Sequence, residues 1–317
     1  MDKRKLGSTD LLVSPITFGG NVFGWTLDEA KSFEILDGFF EAGFNFVDTA
    51  DTYSRWAEGN EGGESEKIIG KWMKARNNRN KVILATKVGG DMGSGKKSLS
   101  KAHITASIDS SLKRLQTDYV DLYQSHYDDP ETSIEETLEA YDQLIRAGKV
   151  RWIGASNFSA DRLKESLETS QRLSLPKYQS FQPEYNLYNR ENFEKEFEQI
   201  CLDNHLGVIG YYSLASGFLT GKYRSEEDFG KSKRGAGIKA YMNDRGFRIL
   251  KALDEVSEQY NSAPASVALA WLLARPSVTA PIASVTSLAQ LEELTRAAAL
   301  KLNVEDISIL DEASAWS

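Results

Sequence analysis

The stretch Phe44-Asn45-Phe46-Val47-Asp48-Thr49-Ala50-Asp51-Thr52-Tyr53 decides how the rest of the chain is read. Its opening residues are apolar or β-prone and read as a short strand buried on both faces. The run stops at the Asp48 carboxylate, followed by small polar residues and Tyr53, so Asp48 sits where a buried strand meets a cavity. A single Asp ending a strand is commonly a turn or capping residue. Two further apolar runs end the same way: Lys81 to Thr86 leads to Lys87, and Tyr119 to Ser125 leads to His126. Asp48, Lys87 and His126 are evenly spaced, 39 residues apart, about the length of one strand, one helix and their loops. Repeated strand–helix units with titratable groups at the C-terminal strand ends are the pattern of a barrel whose site lies on that face.

Asp48, Tyr53, Lys87 and His126 occur in the settings F-V-D-T-A-D-T-Y, L-A-T-K and L-Y-Q-S-H. These settings resemble the catalytic tetrad of the aldo-keto reductase family. The likeness continues through G-A-S-N (Gly154 to Asn157), F-Q-P-E-Y-N (Phe181 to Asn186) and G-F-L-T-G-K-Y (Gly217 to Tyr223). It therefore runs in order along essentially the whole chain. The resemblance implies an α/β fold, a single (β/α)8 TIM barrel over residues 1–317, with an N-terminal β-hairpin at its bottom.

Bulk properties agree. A chain of 317 residues, 41% hydrophobic and 26% charged, suits one barrel with insertions. The net charge of −8, without a basic aromatic face, argues against nucleic acid as a partner. No run of 18 apolar residues occurs, and Met1-Asp2-Lys3-Arg4-Lys5 precedes polar residues instead of a signal-type hydrophobic region, so neither membrane nor export is expected. One cysteine, Cys201, and three scattered histidines give no disulfide and no zinc-ligand spacing. The expected setting is the cytoplasm, with no metal.

Outward from the opening stretch, Lys5 to Gly7 and Leu11 to Val13 read as the hairpin and Ile16 to Gly20 as the first barrel strand. Thr26 with Glu29, and Thr132 with Glu135, read as capping boxes. Val150 to Ala155, Tyr178 to Gln182, Val208 to Tyr212 and Val278 to Pro281 supply the fifth to eighth strands. Helices are expected from about Glu64, around Ile104 to Leu115, and near 159–170, 191–205 and 287–299. Gly221 to Asn243, rich in glycine and charge, is a long insertion after the seventh strand, and a further helix, Pro264 to Ala274, precedes the last strand. A doubly wound sheet would need a G-x-G-x-x-G turn after the first strand, and none is present.

Carbonyl reduction by hydride needs a proton delivered to the oxygen as charge develops there. A tyrosine can supply it if its pKa is brought toward working pH, which a neighbouring ammonium would do. The resemblance thus implies Tyr53 as general acid, Lys87 and Asp48 tuning it, and His126 orienting the carbonyl. It further implies a nicotinamide cofactor held by Ser156, Asn157 and Gln182 at the carboxamide and stacked on Tyr211. Leu214, Ser216, Gly217, Leu219 and Lys222 would cover the pyrophosphate, and Thr286, Gln290 and Glu293 would meet the adenosine end. Two departures stand out: the usual Tyr-Ser-Pro-Leu is Tyr211-Tyr212-Ser213-Leu214, and no Lys or Arg lies between Pro281 and Thr295. NADP(H) is expected from the family, with NAD(H) open, and a lysine or arginine of the 221–245 loop, such as Lys222, Arg224 or Arg234, is expected to compensate. Trp25, Trp56, Tyr127, Phe158 and Tyr185 follow strand ends and are candidates for the wall of a pocket for a small-molecule carbonyl substrate. Two rival readings use the same residues: a cofactor-binding regulatory subunit serving a channel or other partner, and a Schiff-base lyase acting through Lys87.

Overall fold

The computed structural model describes residues 1–93, 95–231 and 235–316. Strands β1 (Arg4–Lys5) and β2 (Leu12–Val13) pair antiparallel as the hairpin. Eight parallel strands follow: β3 (Thr17–Gly19), β4 (Phe46–Asp48), β5 (Ile83–Val88), β6 (Val120–Ser125), β7 (Val150–Ser156), β8 (Ser180–Gln182), β9 (Gly207–Val208) and β10 (Ile282–Ala283). Each pairs with the next in chain order, and β10 pairs with β3. The remaining gap is closed by backbone bonds from Thr279 N–H to Val208 O and from Ile282 N–H to Gly210 O, both 2.8 Å. The result is a (β/α)8 barrel. Helices α1 (Glu29–Glu41), α2 (Glu64–Arg76), α3 (Lys101–Leu115), α4 (Ile134–Arg146), α5 (Ala160–Leu173), α6 (Glu198–Asp203), α7 (Asp244–Gln259), α8 (Pro264–Ala274), α9 (Leu288–Ala299) and α10 (Val304–Ala313) complete it. No described helix is long and apolar enough to cross a membrane.

The two-residue period of the strands separates two cores. Phe46, Ala85, Leu122, Ile209 and Ala280 point inward and pack on Leu6, Leu11 and Val13 of the hairpin, which plugs the bottom. Their neighbours Val47, Leu84, Tyr123, Phe181 and Val208 point outward into the layer under the helices. By the same parity, the residue two positions beyond each inward apolar one also faces inward, closer to the C-terminal rim. For Phe46, Ala85 and Leu122 those residues are Asp48, Lys87 and Gln124. Gly70 lets α2 settle on the end of α3, since a Cβ there would lie 2.4 Å from Arg114 O.

Several local readings are corrected. The last strand is Ile282–Ala283, not Val278 to Pro281: the N–H groups of Thr279 and Ala280 donate to Val208 O of β9, and Pro281, lacking an N–H, meets β3 through its carbonyl, which accepts from Thr17 at 3.0 Å. Asp28 caps α1 and Ser133 caps α4, displacing Thr26 and Thr132. The Thr132 hydroxyl instead donates to Asp129 at 2.6 Å. Helices α7 and α10 stand outside the elements read from the sequence.

Candidate active site

Lys87 is fully buried, and its ammonium has three acceptors: Asp48 Oδ2 at 2.5 Å, Tyr53 Oη at 2.8 Å and Thr49 O at 2.9 Å. β4 and β5 bring these groups together, because Asp48 pairs with Ala85 and Lys87 lies one inward position further up. Asp48 Oδ1 accepts from Gln124 Nε2 at 2.9 Å and from Gln182 Nε2 at 3.1 Å. Each carboxylate oxygen therefore has a fixed donor. His126 closes the group, its ring centroid 6.0 Å from that of Tyr53 in edge-on contact. Gln124 was legible as an inward position by strand parity, yet the sequence reading did not single it out.

Burial acts on the charges in opposite directions. It pulls the Lys87 amine below its ordinary value, while Asp48 opposes that and holds the proton on. Burial, aided by the Asp48 charge, pushes the Tyr53 phenol well above the usual tyrosine value. This corrects the expectation that Lys87 draws the phenol toward neutral pH. The phenol is therefore protonated at neutral pH. Burial, then the positive charges of Lys87 and Lys97, pull His126 well below its ordinary value. The imidazole is neutral at physiological pH and can donate one N–H to a carbonyl oxygen. Its Nδ1 is buried without a protein partner.

Behind this group lies a second buried acid that the sequence reading passed over. Glu66 of α2 accepts from Thr86 Oγ1 and from Arg114 Nε, each at 2.6 Å. Asp51 beside it is buried, and its Oδ1 has no partner. Burial first, and the Glu66 charge second, raise its carboxyl to about 8, with Arg114 and Lys87 opposing. Asp51 thus keeps its proton at neutral pH. The unfolded carboxyl releases its proton near 3.8, so across the window from there to about 8 the folded state binds more proton, and this group's contribution to stability falls as pH rises. We expect Asp51→Asn to remove up to about 1.4 kcal/mol of loss per pH unit, measured as the wild-type-minus-variant difference in urea unfolding from pH 5 to 8. A difference that stays constant with pH would show that Asp51 ionises normally.

Tyr53 and His126 form the floor of a cavity of about 1160 Å³. Of the residues assigned to a cofactor from the sequence, Ser156, Asn157, Gln182, Tyr211, Leu214, Ser216, Gly217, Lys222, Thr286, Gln290 and Glu293 all line it. Leu219 does not: it is fully buried in the core, and its N–H donates to Leu214 O. Arg224 is withdrawn as well, its guanidinium bonded to both oxygens of Asp254 at 2.7 and 2.9 Å. Arg234 lies outside the described residues. Lys231, another cation of the 221–245 loop, lines the cavity with Lys222 and donates to Lys222 O at 3.0 Å.

The Tyr211 hydroxyl donates to Asn157 Oδ1 at 2.9 Å, while Asn157 Nδ2 donates to His126 O at 2.9 Å. This chain of bonds fixes the Tyr211 ring against the cavity wall. Beyond it, Ala215, Ser216 and Gly217 are all left-handed, with φ of 46°, 57° and 96°. Such strain in non-glycine residues costs on the order of 1–3 kcal/mol each, and it curls the segment whose proline is missing.

The aromatic candidates separate. Trp56 and Tyr127 line the cavity, and Trp25 packs edge-on against Trp56 at 5.7 Å without lining it. Phe158 and Tyr185 are corrected to core positions. Phe158 packs on Tyr178, and Tyr185 sits between Phe193 and Trp271 with its hydroxyl donating to Glu194 at 2.7 Å. Tyr212, exposed at the rim, lines the cavity instead.

Comparison with known proteins bears on this arrangement. The sequence profile described as the Aldo/keto reductase family matches residues 15–315. The uncharacterized oxidoreductase YrpG of Bacillus subtilis (strain 168) is 34% identical over 320 residues, covering 98% of this chain and 95% of its own. Aldo-keto reductase YhdN of the same organism is 35% identical over 295 residues, covering 91% and 84%. A probable voltage-gated potassium channel subunit beta of Oryza sativa subsp. japonica is 33% identical over 307 residues, covering 94% and 91%. The barrel, its rim residues and the matched length agree, and the chain belongs to the aldo/keto reductase family.

Proposed function

We propose that this chain is a cytoplasmic enzyme that reduces aldehydes or ketones to alcohols with NADP(H), Tyr53 acting as general acid. The observation that carries the reading is the placement of the Tyr53 hydroxyl on the cavity floor, bonded to a buried ammonium and flanked by a neutral imidazole. The lining suits a nicotinamide: Ser156, Asn157 and Gln182 are polar side chains on the cavity wall, and the bond to Asn157 fixes the Tyr211 ring beside them. A reduced nicotinamide, when bound, supplies the hydride. The protein handles the proton. The His126 imidazole donates a hydrogen bond to the carbonyl oxygen, and Tyr53 Oη releases its proton to that oxygen as charge builds. Lys87 Nζ, 2.8 Å away, stabilises the phenolate left behind, while Asp48, held by Gln124 and Gln182, keeps Lys87 protonated. The test is a cofactor titration followed by a panel of carbonyl compounds, read by nicotinamide absorbance. Cofactor binding without turnover of any carbonyl would favour the regulatory-subunit reading, which the name of the rice relative suggests. The lyase reading has little support in this geometry, because the Lys87 ammonium is buried beside Tyr53 with hydrogen bonds donated to three acceptors.

The cofactor's 2′-phosphate would meet an unusual end of the cavity. Thr286 has its N–H and hydroxyl directed at Gln290 Oε1, at 2.8 and 3.3 Å, and no cation occurs from Pro281 to Thr295. A charge-assisted bond there would be worth roughly 1.5–3 kcal/mol. We therefore expect preference for NADP(H) over NAD(H) to be weak, and Thr286→Arg to raise it by about one to two decades, in Kd values compared at one low ionic strength. Equal gains for both cofactors, or a wild-type preference above about a thousandfold, would place the phosphate with Lys222 and Lys231 instead.

A further inference from the structure

The mouth of the cavity carries two cations that proton delivery does not use. Arg55 follows Tyr53 by two residues, and Lys97 lies in the loop between β5 and α3; both line the cavity with Trp56 and Tyr127. Lys97 Nζ sits 3.8 Å from the centroid of the Tyr127 ring, and that ring stacks on His126 with centroids 4.6 Å apart. Lys97 is thereby held beside the imidazole that faces the reacting carbonyl, close enough to lower its proton affinity. Arg55 Nη2 lies 2.9 Å from where a Cβ on Gly93 would be, which sets the guanidinium against the loop that bears Lys97. Among the described residues, neither cation is paired with a carboxylate in any ion pair. The acid at the same rim, Asp91, has one oxygen accepting from the backbone N–H groups of Gly93 and Gly95, at 2.8 and 2.9 Å. The other lining acid, Glu293, lies at the far end with Thr286 and Gln290. In a chain of net charge −8, this mouth is locally positive.

Two cations at a mouth also lined by Trp56 and Tyr127, beside the proton donor, constitute a receptor for an anion on the substrate. We propose that the preferred substrates are aromatic aldehydes or ketones bearing an anionic group, carboxylate or phosphate, which Arg55 and Lys97 receive while the carbonyl lies between Tyr53 and His126. This rests on the carbonyl-reductase reading and narrows it to a substrate class. Arg55 supplies a planar fork that matches a carboxylate or phosphate edge, and Lys97 supplies a point charge nearer the carbonyl.

The experiment measures kcat/KM at low ionic strength for the three ring isomers of carboxybenzaldehyde, their methyl esters, and 4-formylphenyl phosphate. The quantity read is the acid-to-ester ratio, so a general loss of activity in a variant cancels. At least one acid should be favoured over its ester by about tenfold, chiefly through KM. Arg55→Gln and Lys97→Gln should each cut that ratio about three- to tenfold, and raising salt to 0.5 M should shrink it in the unmodified protein. A larger advantage for the phosphate than for any carboxylate would assign the natural group to a phosphate ester within the same class. Turnover of esters with ratios near one for every anion, or ratios unmoved by both variants and by salt, would overturn the inference while leaving the reductase reading intact. No turnover of acids or esters alike would overturn both.

Discussion

Tyr53→Phe is expected to lose carbonyl reduction by a factor of about 10² to 10⁴ while keeping its fold and its cofactor affinity. The substitution removes one oxygen, the one that accepts from Lys87 at 2.8 Å, and leaves the ring in its edge contacts with Trp56 and His126. Because burial and Asp48 hold the phenol well above its usual pKa, its role is to keep a proton until the transition state draws it off. The loss should therefore fall on kcat, with the Kd of the nicotinamide cofactor unchanged. A variant keeping more than about a tenth of wild-type kcat would show that another group supplies the proton.

Lys87→Met should damage catalysis as severely, and Lys87→Met with Tyr53→Phe should be little worse than either alone. The ammonium donates to the Tyr53 hydroxyl, so without it the phenolate left by proton transfer has no counter-charge. Groups that act as one unit give strongly non-additive losses. The single variant also leaves the buried Asp48 carboxylate without its ion partner, which costs roughly 3–5 kcal/mol of stability. Asp48→Asn with Lys87→Met removes both charges and should recover much of that stability without recovering activity. Thermal unfolding and kcat on the four variants separate the two effects. Additive losses between Lys87 and Tyr53 would mean that they serve different steps.

Much of this site follows from the order of residues alone. The period of two along β4, β5 and β6 carries the inward apolar residues Phe46, Ala85 and Leu122 on to Asp48, Lys87 and Gln124, so a strand pattern already puts these polar groups above a dry core. Even spacing of strand ends, together with the motifs around Tyr53 and His126, was sufficient for the barrel and for the floor of the cavity. The hairpin itself was legible in its apolar positions, and its place at the barrel bottom came from the family resemblance; Leu6, Leu11 and Val13 pack there.

What the chain order could not determine depends on register and on loops. Tyr185 and Trp56 both follow strand ends, yet one is buried against Trp271 and the other stands half in solvent at the mouth, because the paths of their loops are set by neighbours far away in sequence. Pro281 has the β context of a strand residue, but without an N–H it can only accept, from Thr17, and the strand paired with β3 is Ile282–Ala283. Asp51 stands three residues from Asp48 in one motif and meets a different charge. Asp48 faces an ammonium, whereas Asp51 faces Glu66 of α2 from a buried position, and only the packing of α2 and α3 over β5 brings that second carboxylate near. Sequence fixes which face of a strand a side chain takes, since that is a local property of the backbone. The charge it meets there is set by which distant elements pack against it, and that decides whether an acid holds a proton or gives it up.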